Sequence, residues 1–241
     1  KNVYVFLGFC IGICLSFPAP GVAQSVSGVP GYISIPVATF NTDGSMFVGT
    51  SFLPQEHLAY TGYRYDALAV YASLTFLSFV EVDLRVTRQL GIPSGSSHVV
   101  DRVPTIRFRI LKEKKWVPAV AVGFHDVLTS LESGEAHHFG ATYLVVTKNF
   151  HLEKLHLNIG TTAGWGAEKF IWESNEFTGF FGGFSLGTDK LPWMSLLCDY
   201  NGACVNAGLR VTCFKHLYLT AATMNFDSFT GTLSYKFNLI R

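Results

Sequence analysis

Charge is scarce in this chain: only 15% of its 241 residues are Asp, Glu, Lys or Arg, where an ordinary soluble domain carries about 25%. The net charge of +1 and the lack of any basic stripe exclude a nucleic-acid partner. Beyond residue 23 no apolar run approaches the length of a helical membrane span. Helical periodicity is missing from every long segment. There is no Gly-x-Ser-x-Gly elbow and no His-Glu-x-x-His motif. On these grounds no enzyme activity, catalytic residue, cofactor or metal site is expected.

What is present points elsewhere. The chain is 49% hydrophobic and 15% aromatic and holds 23 glycines. Strands that turn one face to lipid reconcile such hydrophobicity with the absence of long apolar runs. The C-terminal residues show the pattern most clearly. Phe229, Gly231, Leu233, Tyr235, Phe237 and Leu239 fall on one face of an extended strand, and Thr230, Thr232, Ser234, Lys236 and Asn238 on the other. An aromatic-rich face opposite a polar one matches the closing strand of an outer-membrane barrel.

The N-terminus reads as a secretory signal. Lys1 precedes an apolar stretch from Val3 to Phe17, followed by Pro18, Pro20 and the small residues Gly21, Val22 and Ala23. Cys10 and Cys14 follow large residues, Phe9 and Ile13, which argues against lipidation. The expected organisation is a signal peptide over 1–23, an N-terminal segment over 24–44 and a barrel over 45–241.

Period-two alternation marks twelve strands: 45–53, 67–76, 79–90, 103–111, 116–125, 139–149, 155–165, 179–187, 193–200, 203–214, 217–225 and 229–240. The fold class expected is therefore all-β, a transmembrane antiparallel β-barrel of about twelve strands. Links after the even-numbered strands are short, whereas 54–66, 91–102, 126–138 and 166–178 are long. Periplasmic turns and extracellular loops alternate in this way when the N-terminus is periplasmic. A soluble β-sandwich or lipocalin-like barrel would turn the apolar faces inward and show a more charged exterior.

Of five cysteines, Cys198, Cys204 and Cys213 follow the signal-like stretch. A two-residue turn at Asn201-Gly202 would set Cys204 opposite Asp199 and Cys198 opposite Val205, on opposite faces. Free thiols are expected.

Inside the barrel, the alternation places Glu81, Asp83 and Arg85 beside Arg107 and Arg109, with Arg210 and Lys236 on other inward faces. Wall side chains fill most of a small barrel, which favours a structural ion-pair ladder. The alternative is a polar conduit or site for an acidic sugar polymer, with arginines gripping carboxylates. Tyr60, Tyr63 and Trp172, in long links, are candidates for stacking on sugar rings, whereas Tyr65 and Tyr71 cluster near the first of these links. Trp116, Trp165 and Trp193, at strand ends, read as an interfacial girdle. The stretch holding His125, Asp126, Ser130, Glu132, Glu135, His137 and His138 carries residue types of a rim hydrolase, although spacing within one loop gives no catalytic geometry.

Several segments resemble the YjbH family of exopolysaccharide- or capsule-associated outer-membrane proteins. They are Gly31-Tyr-Ile-Ser-Ile-Pro36, Thr42-Asp-Gly-Ser45, Pro118 to Asp126, Thr142 to Phe150 and Gly164-Trp-Gly166. Asp199-Tyr-Asn-Gly202 and Val205 to Arg210 continue the same order, so the resemblance runs over roughly 28–240. Family members are commonly longer, with more than one barrel-like region. The resemblance implies a non-enzymatic outer-membrane role in polysaccharide production or export. Its implied partners are outer-membrane lipid, the polysaccharide and periplasmic or outer-membrane assembly proteins. The competing readings are an outer-membrane lipid- or polysaccharide-modifying hydrolase and a purely structural surface barrel.

Overall fold

The computed structural model describes residues 22–58, 65–92, 100–127, 138–170 and 174–240. Twelve strands form one closed antiparallel barrel, each hydrogen-bonded to its neighbours in sequence and the last to the first. They are β1 (Ser45–Leu53), β2 (Ala67–Phe76), β3 (Val80–Gln89), β4 (Val100–Leu111), β5 (Ala119–His125) and β6 (Ala141–Leu152). The second half comprises β7 (Leu157–Ala167), β8 (Gly179–Thr188), β9 (Leu191–Tyr200), β10 (Val205–Cys213), β11 (Leu217–Met224) and β12 (Ser228–Asn238). Met46 to Phe52 of β1 pair with Phe237 to Gly231 of β12, so the ladder has no open edge.

The polarity of the wall is inverted relative to a soluble barrel. Leu84 is 48% exposed, while its chain neighbours Asp83 and Arg85 are 3% and 2% exposed. Val70, Leu144, Leu196, Leu219 and Leu233 also face outward, and Thr87, Thr105, Thr220, Thr232 and Ser234 are buried inside. In β12 the aromatic face points out and Thr230, Thr232 and Ser234 point in, as the alternation requires.

Sequence and structure differ at several element ends, for local reasons. β7 begins at Leu157 because residues 153–155 form a 3-10 turn closed by His156 in the left-handed region. β5 begins at Ala119, just after Pro118, and β4 reaches back to Val100. The β9–β10 hairpin has four linking residues, not two: Tyr200 pairs with Val205 and Asp199 with Asn206. Asn201 causes the change, its Oδ1 accepting from the N–H groups of Ala203 and Cys204. Cys198 is thus opposite Ala207, and no disulfide joins Cys198, Cys204 and Cys213.

A twelve-stranded barrel is wider than wall side chains can fill. Here the chain fills it with itself. Residues 22–44 loop through the lumen, and all but a few of them are buried. Short bridges, Gln24 with Pro30 and Gly31 with Pro36, fold the segment back on itself. Asn41 Nδ2 donates to the Val22 carbonyl at 3.3 Å, so its two ends meet. Val26 packs with Leu53, Leu58, Ala69, Val103 and Phe139, while Ile33, Ile35, Val37 and Phe40 join Tyr143, Val145 and Phe181. The expected ladder of wall side chains is therefore only part of the filling.

Large lumen-facing rings sit over glycines on the adjacent strand. Tyr71 is paired with Gly49, Tyr143 with Gly123 and Phe181 with Gly164. A Cβ at Gly123 would strike the Tyr143 ring, whereas one at Gly187 would find its nearest atom at 3.7 Å. Gly123→Ala should therefore cost about 1–3 kcal/mol of barrel stability. Gly187→Ala should be close to neutral. Urea titration of the refolded barrel reads both, and equal midpoints for the two variants would contradict this packing.

Candidate functional site

The seven charged residues expected inside the barrel all face inward. Glu81 and Arg107 pair directly across β3 and β4, their charged atoms 2.6 Å apart and both side chains fully buried. Arg107 also donates to the Val37 carbonyl of the lumenal segment and lies over the Phe40 ring at 5.0 Å. Arg109 approaches the same ring at 5.7 Å. Asp83 faces Ser73 across β2 and β3. Lys236 lies 5.8 Å from the Phe47 ring. Arg210 donates to the carbonyls of Tyr32 at 2.7 Å and Gln24 at 3.4 Å, and to the Thr220 hydroxyl at 3.0 Å. These cations thus grip the chain's own backbone as much as they grip acids.

The strongest grip belongs to a residue with no role in the sequence reading. Asp199 in β9 is 1% exposed. Its Oδ2 accepts from the backbone N–H groups of Ile33 and Ser34, both at 2.8 Å, and of Ile35 at 3.3 Å. Its Oδ1 accepts from Ser34 Oγ at 2.9 Å and Asn206 Nδ2 at 2.8 Å. Successive N–H groups converging on an anion form a nest, which replaces the water a buried carboxylate has lost. The signal in the sequence was an acid directly after the apolar run Leu196-Leu197-Cys198, and the structure sets it opposite Asn206. Thr147 adds an anchor, its hydroxyl accepting from Ala38 N–H at 2.7 Å.

A second cluster lies toward the rim bearing the long links. Glu176, between β7 and β8, lies 3.5 Å from Arg85 and 3.4 Å from His125 Nδ1. Burial pushes its carboxyl up, but Arg85 and the His125 contact outweigh this and hold it below the usual range. His125 Nε2 lies 3.2 Å from the Tyr143 hydroxyl, and its ring meets Tyr143 and Phe177 edge-on. Arg85 also stacks over Phe139 at 4.3 Å. The residues of His125 are thus committed to packing and charge pairing. Across the same rim, His57 meets Asp227 at 3.2 Å, and hydrogen bonds from Asn225, Ser228 and His57 hold that carboxyl down at about 2.

Of the other candidates, Tyr60, Tyr63, Trp172, Ser130, Glu132, Glu135 and His137 lie outside the described residues. Trp165 projects from the outer wall of β7, 63% exposed, whereas Trp116, 85% exposed, lies in the turn between β4 and β5 and not at a strand end. Trp193 differs. It shares the phase of the buried residues Leu197 and Asp199, and it turns into the lumen. Tyr71 is likewise inside, its ring between Gly49 and Gly28. Beneath the lumenal segment, on the side of the short turns, a cavity of about 510 Å³ remains between it and β6 to β10. Among the described residues no cluster of His, Cys, Asp and Glu is suited to a metal.

Asp199→Asn replaces an all-acceptor group by one whose amide N–H would face backbone N–H donors. Docking of the lumenal segment should weaken by about 2–3 kcal/mol, the worth of hydrogen bonds to a charged group. Limited proteolysis of the folded barrel in detergent reads this directly. Residues 22–41 should resist cleavage in the parent and become cleavable in the variant, and equal resistance would refute the anchor.

Comparison with known proteins finds sequence similarity over most of the chain. The chain is similar, at 28% identity over 155 residues, to an Escherichia coli (strain K12) protein described as "Uncharacterized lipoprotein YjbH". That alignment covers 63% of this chain and 20% of the relative, so the chain spans about a fifth of the relative's length. The model of the family described as "Exopolysaccharide biosynthesis protein YbjH" matches residues 23–185. This range takes in the lumenal segment and β1 to most of β8, and it ends before the Asp199 and Val205 motifs included in the resemblance. On that match, the chain belongs to the YjbH exopolysaccharide biosynthesis family.

Proposed function

We propose that this chain is a non-enzymatic barrel of a Gram-negative-type outer membrane that supports production or export of an exopolysaccharide or capsule. The observation that carries the reading is the inverted wall, apolar and aromatic outside and polar inside. An exterior of this kind is stable against lipid and costly against water. The signal-like stretch before residue 24 would deliver such a chain to the envelope. With its terminus-bearing rim toward the periplasm, the barrel would put the short turns there and the long links at the cell surface. Lipid would surround the wall, and the polysaccharide and its assembly proteins would be the working partners.

A hydrolase gains little from the geometry. His125 is buried against Tyr143 and Phe177 and lies beside Glu176, which keeps its ring out of reach of an external substrate. The filled lumen also argues against a permanently open conduit. We read the barrel as a closed platform or gated passage whose lumenal segment must yield before anything passes.

A deletion strain compared with its complemented parent tests this reading under polymer-producing conditions. Polysaccharide is quantified at the surface, in the periplasm and in total. Surface polymer should fall several-fold and return on complementation, with periplasmic accumulation indicating export and loss of total polymer indicating assembly. Unchanged amounts in all three fractions would overturn the reading.

A further inference from the structure

The cavity beneath the lumenal segment mixes apolar walls with a small set of polar side chains. It runs from Arg210 and Leu197, deep in the lumen, to Asp189 and Pro192 at the rim of short turns. Its volume of about 510 Å³ lies within the range of pockets that hold small ligands.

Three polar atoms from three elements converge in it above a glycine. A Cβ on Gly160 would come within 2.6 Å of Ser185 Oγ, 2.8 Å of Tyr32 Oη and 3.0 Å of Asn149 Oδ1. Glycine at 160 lets these three side-chain ends close in over the strand at the edge of the cavity. The Tyr32 hydroxyl is buried beside Ser185 without a well-formed hydrogen bond to any described residue. A buried hydroxyl in that state favours a ligand that supplies the missing partner. Arg210 contributes charge to the same cavity. Among the described residues its hydrogen bonds go to neutral groups, the Gln24 and Tyr32 carbonyls and the Thr220 hydroxyl, with the Asp199 carboxylate near enough to act on its charge. Trp193, turned inward from the first turn of β9, supplies a flat apolar ring at the cavity wall.

We infer that this cavity binds a short segment of an acidic glycan, with a sugar carboxylate on Arg210, hydroxyls on Tyr32, Ser185 and Asn149, and a ring face against Trp193. Hydroxyl-rich ligands need clustered donors and acceptors, and a guanidinium matches a carboxylate in shape and charge. An aromatic platform suits the C–H face of a pyranose. The inference deepens the exopolysaccharide reading and rests on it. The cavity opens at the rim assigned above to the periplasm, so it would receive polymer before any passage through the barrel.

The test titrates the purified full chain, in detergent micelles, with a short oligogalacturonate and with its methyl ester, by calorimetry. The acid should bind, and the ester, which keeps the shape but loses the charge, should bind at least about tenfold more weakly. Trp193→Ala should weaken binding of the acid about tenfold or more. Gly160→Ala should do the same, because its methyl group would push apart three flexible side-chain ends without striking backbone. Both variants must retain the heat-modifiable gel mobility of the folded parent. Arg210 is left unaltered, since it also anchors the lumenal segment. Failure of the parent to bind the acid, equal affinity for acid and ester, or unweakened binding by both folded variants would overturn the inference. Absence of binding alongside lost surface polymer in the deletion strain would remove the cavity and leave the broader role. Binding alongside unchanged polymer would support the site and remove that role.

Discussion

The grip of one carboxylate on three consecutive backbone N–H groups organises the interior of this protein. Asp199 receives Ile33, Ser34 and Ile35, together with the side chains of Ser34 and Asn206, in a site almost wholly removed from water. An acid so placed is unfavourable without dense hydrogen bonding, and the lumenal segment supplies it. The dependence is mutual. The segment satisfies the N–H groups of Ser25, Val26, Gly28, Gly31, Tyr32 and Val37 within itself, while those it turns toward the wall take wall acceptors. Thr147 receives one more, while Arg107 and Arg210 satisfy segment carbonyls.

This arrangement follows from barrel size. Eight strands enclose little more than their own side chains, while twelve leave a channel unless something occupies it. The YjbH-family chain occupies it with residues 22–44, which the family match includes from residue 23. The charged wall residues then serve two tasks. Glu81 neutralises Arg107, and the arginines also hold the segment, so the polar interior is a docking surface for the protein's own chain. On the side toward the short turns a cavity remains, and its lining includes hydroxyls, an amide, an indole and a guanidinium among apolar side chains.

Much of the wall was legible in the sequence, because period-two alternation is a direct consequence of strand geometry. It gave twelve strands, the outward phase of Val82 and Leu84, and the inward phase of Glu81, Asp83, Arg107 and Arg210. The direct pairing of Glu81 with Arg107 needed the register, which alternation does not contain. The Asn201-Gly202 pair suggested a tight turn, but the Asn201 side chain stabilised a longer one and moved Asp199 opposite Asn206. Least legible was the lumenal segment. Gly31 to Pro36 has no periodicity that says inside, since its neighbours come from strands more than a hundred residues away, such as β6 and β9. Trp193 illustrates the same gap: a tryptophan at a strand end suggests a girdle, and only the phase of β9 turns it inward.

The central claim is that the lumen is closed by the chain's own N-terminal segment. Single-channel recording of the purified full chain in planar lipid bilayers tests it most directly. The account predicts insertion with no steady conductance from the parent, and discrete openings once Asp199 is replaced by Asn. A steady open conductance from the parent, unaffected by that replacement, would contradict it.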